Sequence, residues 1–393
     1  MVKRVIGAVR FTAAALAALI IAAITSPTAF SEEEGEQPQL SAYAYSLYCV
    51  NNGEFVAEQR GSERLPMAST TKIMTALLAL EADEKAGGLS VTITPEMYAE
   101  GSSMYLAAGE KVKMKDLVGG MLMVSGNDAA NAAALTIGGS REEFARLMNA
   151  RAAELGLKDT HFVTPSGLDA DGHFTTARDL ARLMASCMEN ETFAGIESSS
   201  SVTVDFIEPE DKSQTYYNEN RLLTKYEYCI GGKTGFTDKA GRTLVSCAEK
   251  DGVRLVAVTL NDGDDWNDHQ ALYDYGFDTL SMEKPEKSGE EFSVTVVGGS
   301  SGKAMLTAGE PPLVCRGVGE SEITTRCELA PFVYAPVEKG QKLGELKYYT
   351  GGVYAGKADL TAAESVGADG AATTFTENIA SFFRALFVRL KGR

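Results

Sequence analysis

The chain has 393 residues, 44% hydrophobic and 23% charged, the proportions of a folded globular protein long enough for a large catalytic core and a second domain. Its formal charge of -17 sets the field of the whole molecule against a polyanion, so a nucleic-acid partner is not expected. His161, His173 and His269 are scattered without His-Glu-x-x-His spacing, and no metal ligand set is expected.

Lys3, Arg4 and Arg10 precede the apolar stretch from Phe11 to Ile24, and Ala29-Phe30-Ser31 offers small residues at the -3 and -1 positions of a cleavage site. This pattern predicts a secretory signal peptide over residues 1–31. An uncleaved signal anchor is the alternative, although the apolar run is shorter than the ~20 residues of a usual span. Export follows from both. Removing the leader takes away three positive charges and leaves the acidic Glu32-Glu33-Glu34 at the new start.

Ser41 to Val50 and Glu54 to Ala57 read as strands around an Asn51-Asn52-Gly53 turn. A helix is expected from Ser69 to Ala82, with Ile73, Met74, Leu77 and Leu78 at helical spacing; it places Ser69 and Lys72 one turn apart on one face. Residues 83–190 read as a mostly helical insertion, with Ser125-Gly126-Asn127 connecting two of its helices, and residues 176–188 supply its last helix. Strands are expected at 226–234, 243–248 and 254–259, and a helix at 267–275 returns across them. A helical subdomain facing a sheet leaves a cleft between the two. Beyond Glu283, brief strands such as 292–297, 331–337 and 343–349 indicate a small separate β domain.

Six cysteines enter a compartment where disulfides can form. Cys229 and Cys247 flank a candidate turn near Asp238, and Cys315 and Cys327 can close a short loop; free buried thiols are the other reading for Cys49, Cys187 and these four. The final segment carries Phe375, Ile379, Phe382, Phe383, Leu386, Phe387 and Leu390 at helical spacing, with Arg384, Arg389, Lys391 and Arg393 supplying positive charge toward its end. It predicts an amphipathic helix on an anionic membrane surface, or one docked on its own protein.

Three short motifs carry the chemistry: Ser69-Thr70-Thr71-Lys72, Ser125-Gly126-Asn127 and Lys233-Thr234-Gly235. A serine hydroxyl needs a neighbouring base to become a nucleophile, and Lys72 can serve if burial and a nearby positive charge keep it neutral. Ser125 can pass a proton to a leaving nitrogen, and Asn127 can hold Lys72 and a substrate amide. Lys233 supplies that nearby charge and attracts a substrate carboxylate, Thr234 adds a hydroxyl, and Gly235 lets an extended substrate approach the strand. Backbone N–H groups of Ser69 and Phe236 are the expected oxyanion donors. This chemistry requires no cofactor. Each motif alone is common in turns and helix starts; their order and company make the signal.

With these motifs, the runs 64–76, 124–130, 172–180, 218–223 and 232–242 make the chain resemble low-molecular-mass penicillin-binding proteins of the D-alanyl-D-alanine carboxypeptidase type. The resemblance covers most of residues 40–280. It implies an α+β fold: a penicillin-binding/β-lactamase-like sheet plus helical subdomain in residues 32–282, a small all-β domain in 283–370, and a membrane-associating helix in 371–393. It also implies a substrate, the peptidoglycan stem peptide ending in D-Ala-D-Ala, an acyl-enzyme on Ser69, β-lactams as covalent inhibitors, and an extracytoplasmic membrane-peripheral location. Two departures bear on substrate preference and deacylation. Thr164-Pro165-Ser166-Gly167-Leu168 stands where many members have an Asn-Pro-His-Gly-Leu-like run, and Phe236 replaces a histidine found in some. A class A-like β-lactamase is the second reading, weakened by the lack of a Glu-x-x-x-Asn segment between Ser125 and Lys233. A third is a penicillin- or peptidoglycan-binding protein without turnover.

Overall fold

The computed structural model describes residues 37–317 and 322–369. The expected signal peptide and the C-terminal amphipathic helix lie outside them. In chain order, β1 (Ala44–Cys49) and β2 (Phe55–Gln59) lead through a 3-10 turn at Ala68–Thr71 into α1 (Lys72–Ala86). Short strands β3 (Ser90–Thr92) and β4 (Lys111–Lys113) precede α2 (Met114–Val124), α3 (Asn127–Gly138), α4 (Arg141–Glu154), α5 (Ala177–Cys187) and α6 (Glu191–Glu197). Next come β5 (Ser201–Glu208), β6 (Ser213–Tyr217), the one-turn helix α7 (Leu222–Lys225), β7 (Cys229–Thr237), β8 (Gly241–Lys250), β9 (Val253–Leu260) and α8 (Asp265–Thr279).

Strands β2-β1-β9-β8-β7 form one antiparallel sheet, with β7 at its edge. Alternation along these strands divides the core into two layers. Val245, Cys247, Val256, Val258 and Leu260 face α1, α5 and the helical subdomain, whereas Leu47, Ala248, Leu255 and Ala257 face Leu272 and Tyr273 of α8. Each fully buried large apolar side chain contributes roughly 1.5–3 kcal/mol. Helix α1 buries Ile73, Met74, Ala76, Leu77, Ala79 and Leu80, covering most of its circumference, so it runs through the core rather than along the surface.

The insertion read as helical, residues 83–190, also holds β3 and β4, which join β5 and β6 from beyond it in a four-stranded sheet, β3-β4-β5-β6. Strands β3 and β4 have three residues each, too short for a periodicity to show.

The C-terminal part comprises β10 (Leu280–Glu283), β11 (Phe292–Val297), β12 (Lys303–Ala308), β13 (Val314–Gly317), β14 (Ile323–Leu329), β15 (Val333–Tyr334), β16 (Lys342–Thr350) and β17 (Val353–Ala362). Six of them form the sheet β14-β16-β17-β12-β11-β15 around its own core of Phe292, Val294, Leu306, Leu346, Tyr348 and Leu360. Strand β10 follows α8 directly and pairs with β13, and Leu280 and Cys315 of this pair pack into the core layer of Leu47, Leu272 and Tyr273.

Of the two readings, free thiols hold: neither candidate disulfide is present, and all six cysteines are free. A bulge between Cys229 and Gly231 slips the β7/β8 register, so Cys229 opposes Ala248 and Cys247 opposes Gly231. Cys327 is exposed on β14, while Cys315 is buried on β13 with its sulfur 3.6 Å from that of Cys49 on β1.

Candidate active site

The turn Ala68–Thr71 sets Ser69 at the mouth of the cleft, half-buried, with Lys72 immediately beneath it as the first residue of α1. The turn is fastened from below. Val163 N–H donates to His173 Nδ1 at 2.9 Å, so the ring proton sits on Nε2 and faces Thr71 Oγ1 at 2.8 Å; Thr71 in turn donates to Ala68 O at 2.8 Å. Burial pushes the His173 pKa down to about 4, which keeps this neutral tautomer in place.

Lys72 is fully buried, and its Nζ lies 2.9 Å from Ser69 Oγ, 2.7 Å from Asn127 Oδ1 and 2.6 Å from the Ser166 carbonyl. Asn127 Nδ2 donates to Glu100 O at 2.7 Å, which fixes the amide with its oxygen toward the lysine. Burial first, and the Lys233 charge second, hold the Lys72 pKa well below the ordinary lysine value. Among the described residues no carboxylate forms an ion pair with it.

Ser125 caps the C-terminus of α2 in the left-handed region, with φ 56°, and Ala68 has φ 49°. Both are non-glycine residues in a conformation that costs energy, one on each side of the cleft. Ser125 Oγ is buried and hydrogen-bonds to no described protein group. Asp128 holds the overlying loop: its carboxylate accepts from Met104 N–H at 2.9 Å, Ser103 Oγ at 2.7 Å and Leu106 N–H at 3.1 Å, while Ser102 O accepts from Asn127 N–H.

The third motif lies on the edge strand β7. Lys233 points inward, 1% exposed, and donates to Thr234 O at 3.0 Å. Burial lowers its pKa, and Glu219 and Glu197 oppose the shift. Gly235 has no room for a side chain: a Cβ there would stand 2.5 Å from Thr243 Oγ1 and 2.8 Å from Ser69 N. The β7 backbone therefore passes directly beside the Ser69 amide. Phe236 is 64% exposed at the rim.

Ser69, Ser125, Thr234, Gly235 and Phe236 thus line one cleft of about 680 Å³, with Lys72, Asn127 and Lys233 in its walls. Its lining also includes residues the motifs did not mark: Ser102, Asn218, Glu219, Arg221, Arg242, Asp265 and Trp266. Arg242, across the hairpin from Phe236, is gripped by the Asp265 carboxylate through Nε and Nη2 and keeps a 45% exposed side chain. The Ser166 carbonyl was hidden as well, because a backbone acceptor leaves no mark in side-chain identity.

A helix-flanked sheet, a serine against a buried amine and a trailing β domain define a serine peptidase of the penicillin-binding class. Residues 31–264 match the family model described as D-alanyl-D-alanine carboxypeptidase, and residues 281–368 match the penicillin-binding protein 5 C-terminal domain. The chain is 31% identical over 355 residues to the D-alanyl-D-alanine carboxypeptidase DacF of Bacillus subtilis, covering 87% of this chain and 90% of the relative. It is 33% identical over 372 residues to DacC of Escherichia coli, covering 87% and 88%. Penicillin binding protein 5 from Haemophilus influenzae superposes with a TM-score of 0.63 at 29% identity over 84% of this chain and 98% of that one. The chain belongs to the D-alanyl-D-alanine carboxypeptidase family. It is a serine-type enzyme of that activity, acting on peptidoglycan stem peptides.

Proposed function

We propose that Ser69 is the nucleophile, Lys72 its base, Ser125 the relay to the leaving group, and β7 the strand against which the D-Ala-D-Ala terminus lies. The observation that carries this reading is the hydrogen-bond count at Lys72. Asn127 Oδ1 and the Ser166 carbonyl are obligate acceptors, so a neutral amine spends its two N–H groups on them and turns its lone pair to the Ser69 hydroxyl. Attack on the penultimate D-alanine carbonyl then forms the Ser69 ester as the proton passes to Nζ. Ser125 delivers a proton to the departing D-alanine amine, and a water repeats the sequence in reverse to release the shortened stem.

The oxyanion develops beside the N-terminal end of α1, where the Ser69 N–H meets the β7 backbone and Phe236 N–H supplies the second donor. As an edge strand, β7 offers backbone groups to an extended peptide. Thr234 and the field of buried Lys233 receive the terminal carboxylate, and Arg242 adds a cation that faces the cleft. β-Lactams take the same place and acylate Ser69. An exported protein, held at the outer membrane face through residues 371–393, would meet this substrate where it occurs.

Two measurements test the assignment together: intact mass after brief exposure to penicillin, and free D-alanine released from a D-Ala-D-Ala-terminated pentapeptide. Wild-type protein gains one acyl group and releases D-alanine; Ser69→Ala does neither. An adduct retained by folded Ser69→Ala would place the nucleophile elsewhere. Fast, burst-free cephalosporin turnover without D-alanine release would favour the β-lactamase reading.

A further inference from the structure

Behind β7 the fold buries a carboxylate that the acyl-transfer steps leave unused. Glu197 is the last residue of α6 and 1% exposed, at the helix end where the backbone dipole disfavours a negative charge. Its Oε2 accepts the Gly232 N–H at 2.9 Å, one residue before Lys233, while Oε1 is buried without a hydrogen bond to any described group. The start of β7 is moulded over this side chain, since a Cβ on Gly231 would stand 2.9 Å from Glu197 Cβ. The ionisable groups coupled to Glu197 are Lys233 and Cys229 on β7 and Cys187 on α5, and Lys233 is the cation among them.

We propose that Glu197 is a positioning residue for acyl transfer: its carboxylate is a buried counter-charge that keeps Lys233 cationic behind the strand, and Lys233 in turn keeps Lys72 neutral. This rests on the reading of Lys72 as the base. The three groups form an alternating series of minus, plus and neutral in a water-poor interior, where each charge acts on the next with little screening. Burial raises the Glu197 pKa to about 7, opposed by Lys233 and the Gly232 N–H. Above that pH the carboxylate is charged and supports the Lys233 ammonium, which has Glu219 as its other counter-charge. Below it, Glu197 is neutral and the Lys233 ammonium keeps Glu219 alone as counter-charge, so the field that Lys72 feels changes with this ionisation.

The test compares wild type, Glu197→Gln and Glu197→Asp from pH 5 to 9, measuring the second-order rate of penicillin acylation and the thermal unfolding midpoint. Wild type should show an ionisation near pH 7 in its acylation profile. Glu197→Gln should lose that step and acylate about tenfold more slowly at pH 8, and Glu197→Asp should keep it. Unfolding reports on the carboxylate independently of catalysis. A buried acid that ionises at about 7, against an ordinary value of 4.5, takes stability away as pH rises through that window, so the wild-type midpoint should fall relative to that of Glu197→Gln over the same range. A Glu197→Gln profile of unchanged shape, slowed equally at every pH, would reduce Glu197 to a structural role and overturn the proposal. Wild-type protein that is never acylated overturns the reading of Ser69 and Lys72 and the proposal with it; that failure is recognised by the unfolding difference persisting.

Discussion

Lys72 and Ser69 meet because three residues of helical rise bring the fourth side chain back over the first, and this much follows from the spacing Ser-x-x-Lys. What the lysine does next depends on groups that spacing cannot reveal. Asn127 arrives from another helix, and the Ser166 carbonyl comes from the run Thr164–Leu168 that departs from the family pattern. Replacing Lys72 with alanine should slow acylation by about 10²–10⁴-fold, the usual reach of a positioned base, with little change in penicillin affinity before bond formation. Stopped-flow separation of binding from acylation checks this. Lys233, expected to attract the substrate carboxylate, is 1% exposed in the cleft wall, and Arg221 and Arg242 are the arginines in the cleft lining. Arg242→Ala should therefore raise KM for a D-Ala-D-Ala peptide more than it lowers kcat, and an amidated C-terminus should abolish the difference between variant and wild type. Equal sensitivity of both substrates would deny Arg242 a role in carboxylate recognition.

At the scale of elements, the sheet strands and the long helices were legible because their hydrophobic periods are sustained. The β3–β6 sheet was not: β3 and β4 have three residues each and carry no period, and β4 meets β5 across nearly a hundred residues of chain through tertiary contacts alone. Helix α8 shows what a correctly anticipated element still conceals. Its His269 is fully buried against β8 and β9, with Nδ1 2.6 Å from Ser246 Oγ and Nε2 3.2 Å from Thr259 Oγ1. Burial pushes the ring's pKa down to about 3 from an ordinary 6.5. The unfolded chain takes up a proton below 6.5 and the folded one does not, so this contribution to stability is complete above 6.5 and is lost as pH falls toward 3. Thermal unfolding between pH 7 and 4 should show a falling midpoint, with a shallower fall in His269→Gln. A variant as acid-sensitive as wild type would assign the loss to other groups, His173 first.

Across the whole molecule, the two matched regions meet along a seam. Cys315 of β13 is buried in the same core layer as Leu47, Leu255, Leu272 and Tyr273, and Val353 leaves little room for a side chain at Gly53 in the β1–β2 turn. Cys49 and Cys315 face each other in that seam, 3.6 Å apart. Sequence spacing could not find this pair, because 266 positions separate partners that only the folded arrangement brings together. Glutathione disulfide should oxidise the two thiols to one crosslink, with its own disulfide reduced to two thiols. Peptide mapping should recover a Cys49–Cys315 linkage, and the crosslink should stabilise the fold by roughly 2–4 kcal/mol relative to Cys315→Ser. Thiols that stay free under conditions that oxidise an exposed cysteine such as Cys327 would show that the seam does not admit the bond.

The left-handed backbone at Ala68 and Ser125 has a consequence for how such a protein can evolve. Glycine at position 68 would relieve a conformational cost while loosening the turn that aims the reactive hydroxyl. Selection for heat resistance and selection for turnover therefore pull that position in opposite directions.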